Sequence, residues 1–146
     1  MVTAEGSIHL DRLARLVANG FGLSRVATSR REAILRHLPP GLRRESFEPV
    51  VWPAARVPEA WTGYRRPPEG VECPPEEIPL REFVNAMVGV SRAAAGAERR
   101  DLYREVLAVF EWKRRIAGVT ERLDVALDLS VRTARLRFEG ELVVVR

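Results

Sequence analysis

The chain has 146 residues, of which 46% are hydrophobic and 30% are charged, enough for one ordinary domain or two very small ones. This composition excludes fibrous and disordered proteins, and the absence of a long apolar run or a leader pattern favours a cytoplasmic protein without a membrane partner. The net charge of +4 permits a nucleic-acid partner without requiring one, and the single cysteine, Cys73, cannot form an internal disulfide.

The N-terminal region is predicted to contain two helices and one short strand. The first helix has one apolar face and stops near Gly22. That face consists of Leu10, Leu13, Ala14, Val17 and Phe21. The second helix begins at a capping box formed by Ser29 and Glu32 and ends before a proline pair. Residues 47–52 then form an extended segment, which Pro49 restricts to the edge of a sheet.

Residues 53–78 are predicted to form an arm between two lobes. Seven of the ten prolines lie between Pro53 and Pro79, where neither a helix nor a central strand can persist. Aromatic side chains are too costly to leave in water, so those of this segment are expected to be mostly buried and to anchor the arm. They are Trp52, Trp61 and Tyr64.

The C-terminal region is predicted to contain three helices and a hairpin. Apolar residues recur at helical spacing over 80–94, 102–112 and 119–127. The last residues alternate in polarity, turn at Glu139 and Gly140, and return as a second strand. Three helices followed by a two-stranded hairpin are typical of a winged helix.

The two ends of the chain are predicted to be copies of each other. Residues 10–38 align without a gap with residues 99–127, and seven of the twenty-nine pairs are identical. This period is too long for a solenoid and indicates duplicated domains. The first copy lacks room for a counterpart of the helix over 79–95, and Met1 would fall inside that helix, as in a piece of a longer polypeptide. The expected fold is therefore α+β and mainly helical, with tandem winged-helix repeats: a partial one over 1–52, the arm over 53–78 and a complete one over 79–146.

Several segments together resemble the bacterial family catalogued as domain of unknown function 3320. They are GSIHLDRLARLVANGFGLSR, SRREAI, WTGYR, EEIPLREFVNAM and REVLAVFEWKR, and they span nearly the whole chain. Members usually form the C-terminus of large proteins that also carry a superfamily 1 helicase and a Vsr-like endonuclease, and that are associated with defence against foreign DNA. The resemblance implies an accessory module, with helicase and nuclease domains of the same or a neighbouring polypeptide as partners.

Candidate DNA contacts follow from the way a winged helix binds, with its third helix in the major groove and its wing on the backbone. In the first copy they are Arg25, Ser29, Arg30, Arg31 and Arg36. Arg31 falls within the apolar stripe, so it either contacts DNA or pairs within the fold. In the second copy they are Lys113, Arg114, Arg115, Arg135 and Arg137. The triplet at 113–115 is also compatible with a solvated edge.

The segment from Trp61 to Arg65 has two interpretations. Trp61 and Tyr64 anchor the arm while Arg65 caps a helix end, or all three form a contact surface for a partner, since aromatic and Arg residues are frequent in binding hot spots. Neither His9 nor His37 has partners at catalytic spacing, and each is expected to be a surface or capping residue. No enzymatic activity, metal or cofactor is expected.

Two functions remain from the sequence. The chain is a non-catalytic DNA-binding accessory module of a helicase and nuclease system, with weak affinity that does not depend on sequence. Alternatively, it is a protein-docking module of the same system with no direct DNA contact, since a net charge of +4 is low for a DNA binder.

Overall fold

A computed structural model describes residues 6–66, 73–112 and 117–146. The chain divides into two compact units, unit 1 with residues 1–61 and unit 2 with residues 62–146, so the predicted arm over 53–78 contributes to both. The described residues form five α-helices and two small antiparallel sheets of three strands each, a helix-rich mixed α+β architecture.

Unit 1 contains two helices and a small sheet. Its elements are β1 (Ile8–His9), α1 (Leu10–Gly20), α2 (Thr28–Arg36), β2 (Arg43–Arg44) and β3 (Val50–Trp52). Both predicted helices and the predicted strand are confirmed, whereas β1 and β2 were not predicted. The strand order is β1-β3-β2, and a small apolar cluster around Leu13 and Val51 lies beneath α1.

The prediction that Pro49 restricts its strand to a sheet edge is wrong. β3 is the central strand, because Val51 pairs with Ile8 of β1 on one side and with Arg44 of β2 on the other. Pro49 is compatible with this position since it precedes the strand, so its missing N–H lies outside the ladder. Its carbonyl instead accepts the amide of Leu10 at 2.9 Å.

The predicted capping box at Ser29 is also wrong. α2 begins one residue earlier, at Thr28, and its N-cap is Ala27, which supplies no side-chain hydrogen bond. Ala27 is extended, and its carbonyl accepts the amide of Arg31 at 2.9 Å, so the first helical turn closes on Ala27 and places Ser29 inside the helix. An exposed hydroxyl in the first turn then faces solvent.

Unit 2 contains three helices and a second sheet. Its elements are α3 (Leu80–Ala93), β4 (Ala97–Glu98), α4 (Arg99–Val109), α5 (Val119–Arg132), β5 (Leu136–Glu139) and β6 (Leu142–Val145). The three predicted helices and the predicted hairpin are confirmed. The strand order is β4-β6-β5, with Phe138 paired with Val143 across the hairpin.

The core of unit 2 forms where α4 and α5 pack on α3. Phe83 and Met87 lie four residues apart on α3, so they project from one face, and both are fully buried. Leu102 and Val106 of α4 and Leu123 of α5 complete the cluster. Because α3 packs against both α4 and α5, the apolar faces of these two helices are covered mainly by this one helix.

The two units share one order of elements. In each, a two-residue strand is followed by two helices and two further strands, and the last strand lies between the other two. The helix ends also correspond, because Gly22 and Glu111, equivalent in the sequence alignment, both adopt positive φ values, +76° and +60°. α3 has no counterpart within residues 6–61.

Candidate nucleic-acid interface

Helix α1, which precedes the turn to α2, is capped at both ends by local hydrogen bonds. His9 is the N-cap of α1, as predicted, and its Nδ1 accepts the amide of Asp11 at 3.1 Å. At the other end, Gly22 adopts a left-handed conformation, and the amide of Leu23 donates to the carbonyl of Ala18 at 3.0 Å. This closure redirects the chain towards α2 and holds the two helices in a fixed arrangement.

The outer face of the turn and of α2 carries three of the predicted contact residues. Arg25, Ser29 and Arg36 are all exposed. The Nε of Arg36 donates to the carbonyl of Glu32 at 3.4 Å, which holds the side chain along the helix. The arrangement offers two guanidinium groups and a hydroxyl to an anionic partner, and both kinds of group bind phosphate oxygens.

Arg31 forms an ion pair within the fold. Its Nε lies 2.5 Å from Oδ1 of Asp11, and its side chain is 35% exposed. This pair joins α2 to the first turn of α1. Of the two roles that the sequence left open for Arg31, pairing within the fold is therefore the one that the structure has. Arg30 is exposed but lies on a different side of α2 from Arg36, beside Ile34 and His37.

Two further basic residues of the same unit were not predicted from the sequence. Arg43 and Arg44 form β2 and are exposed, and the Nε of Arg43 donates to the carbonyl of Ala54 at 3.1 Å. The adjacent arginines were visible in the sequence, but a two-residue strand leaves no periodic pattern. In unit 1, β2 and β3 occupy the place that the hairpin β5 and β6 has in unit 2.

Within the described residues, the equivalent surface of unit 2 is more acidic. The exposed residues of α5 include Glu121, Asp124 and Asp128, and the counterpart of Arg36 is Val125. The exposed arginine of this helix, Arg132, pairs with Asp128 at 2.8 Å. Asp124 accepts a hydrogen bond from the hydroxyl of Tyr103 at 2.5 Å. A helix with this acidic face repels a phosphate backbone rather than binding it.

The predicted wing residues of unit 2 are also engaged within the fold. Arg135 is half-buried, and its Nη1 donates to Oδ1 of Asn85 at 3.0 Å. Burial lowers the pKa of Arg135, and the charges of Arg92 and Arg81 act in the same direction. Arg137 is exposed and pairs with Glu139 of the same strand. The remaining candidates of this unit lie outside the described residues: Lys113, Arg114 and Arg115.

The aromatic residues predicted to anchor the arm pack within their own units. Trp52 is fully buried, whereas Trp61 and Tyr64 are only half-buried. Trp61 makes an edge contact with Trp52 at 6.1 Å between ring centroids, and Arg56 lies 4.9 Å from the Trp61 ring. Tyr64 lies 6.3 Å from Phe110. These contacts favour the anchoring interpretation, and a partner contact at Trp61 and Tyr64 stays a prediction.

Arg65 pairs with a buried carboxylate. Its Nε lies 3.1 Å from Oε1 of Glu82, whose side chain is 2% exposed, and its amide donates to Oε2 of the same residue at 3.2 Å. Glu82 lies in the first turn of α3, so Arg65 ties the preceding segment to the start of that helix. A buried carboxylate needs such compensation, which gives Arg65 a structural role.

Within residues 6–66, 73–112 and 117–146, no cluster of three or more His, Cys, Asp or Glu side chains is arranged to hold a metal ion. In the same residues, none of the helices has the length and apolar character that crossing a membrane requires.

No protein-family model, curated protein or solved structure matches this chain. The candidate surface therefore has to be interpreted from its own geometry and charge.

Proposed function

We propose that the chain is a non-catalytic DNA-binding accessory module whose DNA contacts lie in unit 1. The observation that carries this proposal is the difference in charge between the two equivalent surfaces. Within the described residues, that of unit 1 exposes four arginines, whereas helix α5 of unit 2 exposes three carboxylates and one arginine, which pairs with one of those carboxylates. The four are Arg25, Arg36, Arg43 and Arg44.

In this proposal unit 2 is a winged helix and unit 1 is a winged helix without its first helix. Two features of unit 2 support the assignment: the succession helix, strand, helix, helix, strand, strand, and the strand order β4-β6-β5. Unit 1 has the same succession from its first strand onward. The assignment makes α2 the helix that approaches the major groove and β2 a strand of the wing.

The contacts are expected to be made mainly with phosphates. Arg36 and Arg25 flank the helix surface, and Arg43 and Arg44 lie on the wing. Ser29 adds a hydroxyl in the first turn of α2, where the helix dipole also favours anions. Because exposed arginines without a base-reading framework contact the backbone rather than base edges, sequence specificity is expected to be low.

The wider role within a helicase and nuclease system rests on the sequence resemblance described above. An accessory module with weak affinity for any duplex would increase the time that such a system spends on DNA, while the chemistry lies in other domains. Unit 1 then supplies the duplex contact, and the acidic surface of unit 2 stays away from the phosphates.

The test is duplex binding by the full chain as a function of salt. Fluorescence anisotropy with a labelled 20-base-pair duplex of arbitrary sequence gives the slope of log affinity against log salt. Because each phosphate contact contributes about 0.9 to this slope, replacing all four arginines of the unit 1 surface by Ala is expected to lower it by about three to four units.

A matched control removes the same number of charges from unit 2. Arg99, Arg100, Arg104 and Arg132 are all exposed, and their replacement by Ala is expected to leave the slope nearly unchanged. If both fourfold variants lose affinity equally, the effect is one of net charge and the proposed surface is wrong. If the parent chain has no affinity at low salt, the protein-docking function replaces this proposal.

A further inference from the structure

Unit 1 has an apolar groove between α1 and α2. Its volume is about 630 Å³, and its apolar lining residues include Leu13, Val17, Phe21, Ile34 and Leu38. Phe21, at the end of α1, is 82% exposed. A large aromatic side chain so open to water, next to a continuous apolar lining, marks a surface that is suited to binding.

Unit 2 shows what covers the equivalent surface. The counterparts of those five residues in the sequence alignment are all between 0% and 8% exposed: Leu102, Val106, Phe110, Leu123 and Leu127. They belong to the cluster that includes Phe83 and Met87 of α3, and the rings of Phe110 and Phe83 are 5.1 Å apart. The groove of unit 1 is therefore the surface that an amphipathic helix occupies in unit 2.

The groove differs from its counterpart in charge. Arg30 and His37 line it, where unit 2 has Val119 and Ala126 at the equivalent positions. Among the described residues they are the only ionisable ones of the lining, and neither can carry a negative charge. An occupant that places a carboxylate beside its apolar stripe would form a charge-assisted hydrogen bond with Arg30, whereas a wholly apolar helix would leave this guanidinium facing apolar atoms.

We propose that this groove binds an amphipathic α-helix of a partner protein, one that carries a carboxylate next to its apolar stripe. The helix packs as α3 packs in unit 2, with a large apolar side chain against Phe21 and a carboxylate facing Arg30 and His37. Binding is of the helix-in-groove type, with apolar anchors at every third or fourth position. This site does not include Arg25, Arg36, Arg43 or Arg44, the proposed DNA contacts. It does not depend on the DNA-binding proposal.

The probe is a labelled synthetic peptide with the sequence of residues 79–95 that carries Ala86→Glu and Ala93→Glu. This peptide keeps the apolar stripe of α3 and adds two carboxylates beside it, about 60° to 80° around the helix from Phe83. Titration of the full chain is expected to give saturable binding at micromolar concentration. A peptide that also carries Phe83→Asp and Met87→Asp is expected not to bind, because its stripe is broken.

Protein variants identify the groove. Phe21→Asp is expected to weaken binding at least about tenfold, and because Phe21 is exposed, circular dichroism should show an unchanged fold. The matched control is Phe138→Asp, which changes an aromatic residue of unit 2 that is 52% exposed, and it should bind as the parent does. If Phe21→Asp binds equally well, the peptide has entered unit 2 in place of α3 and the proposal is wrong.

The charge preference has its own test. The variant with Arg30→Val and His37→Ala copies the lining of unit 2, so it is expected to bind the unmodified 79–95 peptide more tightly than the parent does and the acidic peptide less tightly. If the parent chain binds both peptides equally, the proposed preference for a carboxylate is wrong. Sedimentation tests a third outcome. If the parent chain forms a dimer and Phe21→Asp abolishes it, the occupant is a second copy of the chain and the proposal is wrong.

Discussion

Phe21 and Phe110 occupy equivalent positions at the ends of α1 and α4, yet truncating each to Ala is expected to have very different effects on stability. Phe110 is 1% exposed, and its ring centroid lies 5.1 Å from that of Phe83 and 5.5 Å from that of Trp112. Removing the ring loses its burial and its aromatic contacts and leaves a cavity. The expected cost is about 4 kcal/mol of unfolding free energy.

Phe21→Ala removes the same group from an environment that is mostly water. Because the side chain is 82% exposed, the expected change is within about 0.5 kcal/mol. The pair is a matched comparison, since the residue type, the position in the repeat and the helix-terminating turn are the same. The two sites differ in the covering helix α3 and in the ring contacts that Phe110 makes with Trp112 and Tyr64.

Urea denaturation followed by far-ultraviolet circular dichroism measures both changes. With an m value of about 2 kcal/mol per molar urea, Phe110→Ala is expected to lower the midpoint for unit 2 by about 2 M, and Phe21→Ala should leave both units unchanged. Equal losses in the two variants, or a loss above about 1 kcal/mol for Phe21→Ala, would mean that the end of α1 is covered as that of α4 is. The surface of unit 1 that corresponds to the one covered by α3 would then not be vacant, and the proposed groove would be wrong.

Three further predictions concern other parts of the chain. Arg65→Ala is expected to cost about 1 to 3 kcal/mol because it removes the guanidinium that contacts the buried carboxylate of Glu82 at 3.1 Å, and an unchanged melting temperature would contradict this. Burial, and then the hydrogen bond to Asp124, raise the pKa of Tyr103 above its ordinary value of 10.0, so the protonated tyrosine stabilises the folded state fully below pH 10, and this contribution is lost as the pH rises further. Denaturation between about pH 10 and 12 should therefore show a steeper loss of stability for the parent chain than for Tyr103→Phe, and parallel curves would refute the shift. Because the proposed DNA contacts lie in unit 1, replacing the basic triplet of unit 2 by Ala is expected to leave the salt slope of duplex binding nearly unchanged, and a fall of about three units would add the triplet to the DNA interface. The triplet is Lys113, Arg114 and Arg115.

The candidate surface could be predicted from the sequence only where its residues lie on a periodic element. Arg36 and Ser29 were found because a helix wheel separates them from the apolar stripe of α2, and Arg25 because it lies in the turn before that helix. Arg31 required the structure, since its ion pair with Asp11 joins residues twenty positions apart. Arg43 and Arg44 were missed because β2 is defined by pairing with β3 and has no pattern of its own.

The sequence by itself determined the helices, the hairpin of unit 2 and the internal repeat. The helices and the hairpin depend on the spacing of residues that are close in the chain, and the repeat is visible as identical residues at aligned positions. It could not place β3 in the centre of its sheet, since strand order depends on partners that are distant in the chain. It also could not distinguish Phe21 from Phe110. Both are phenylalanines at the end of an amphipathic helix, and only the packing of α3 buries one of them, because burial is a property of what lies against a side chain and not of the side chain itself.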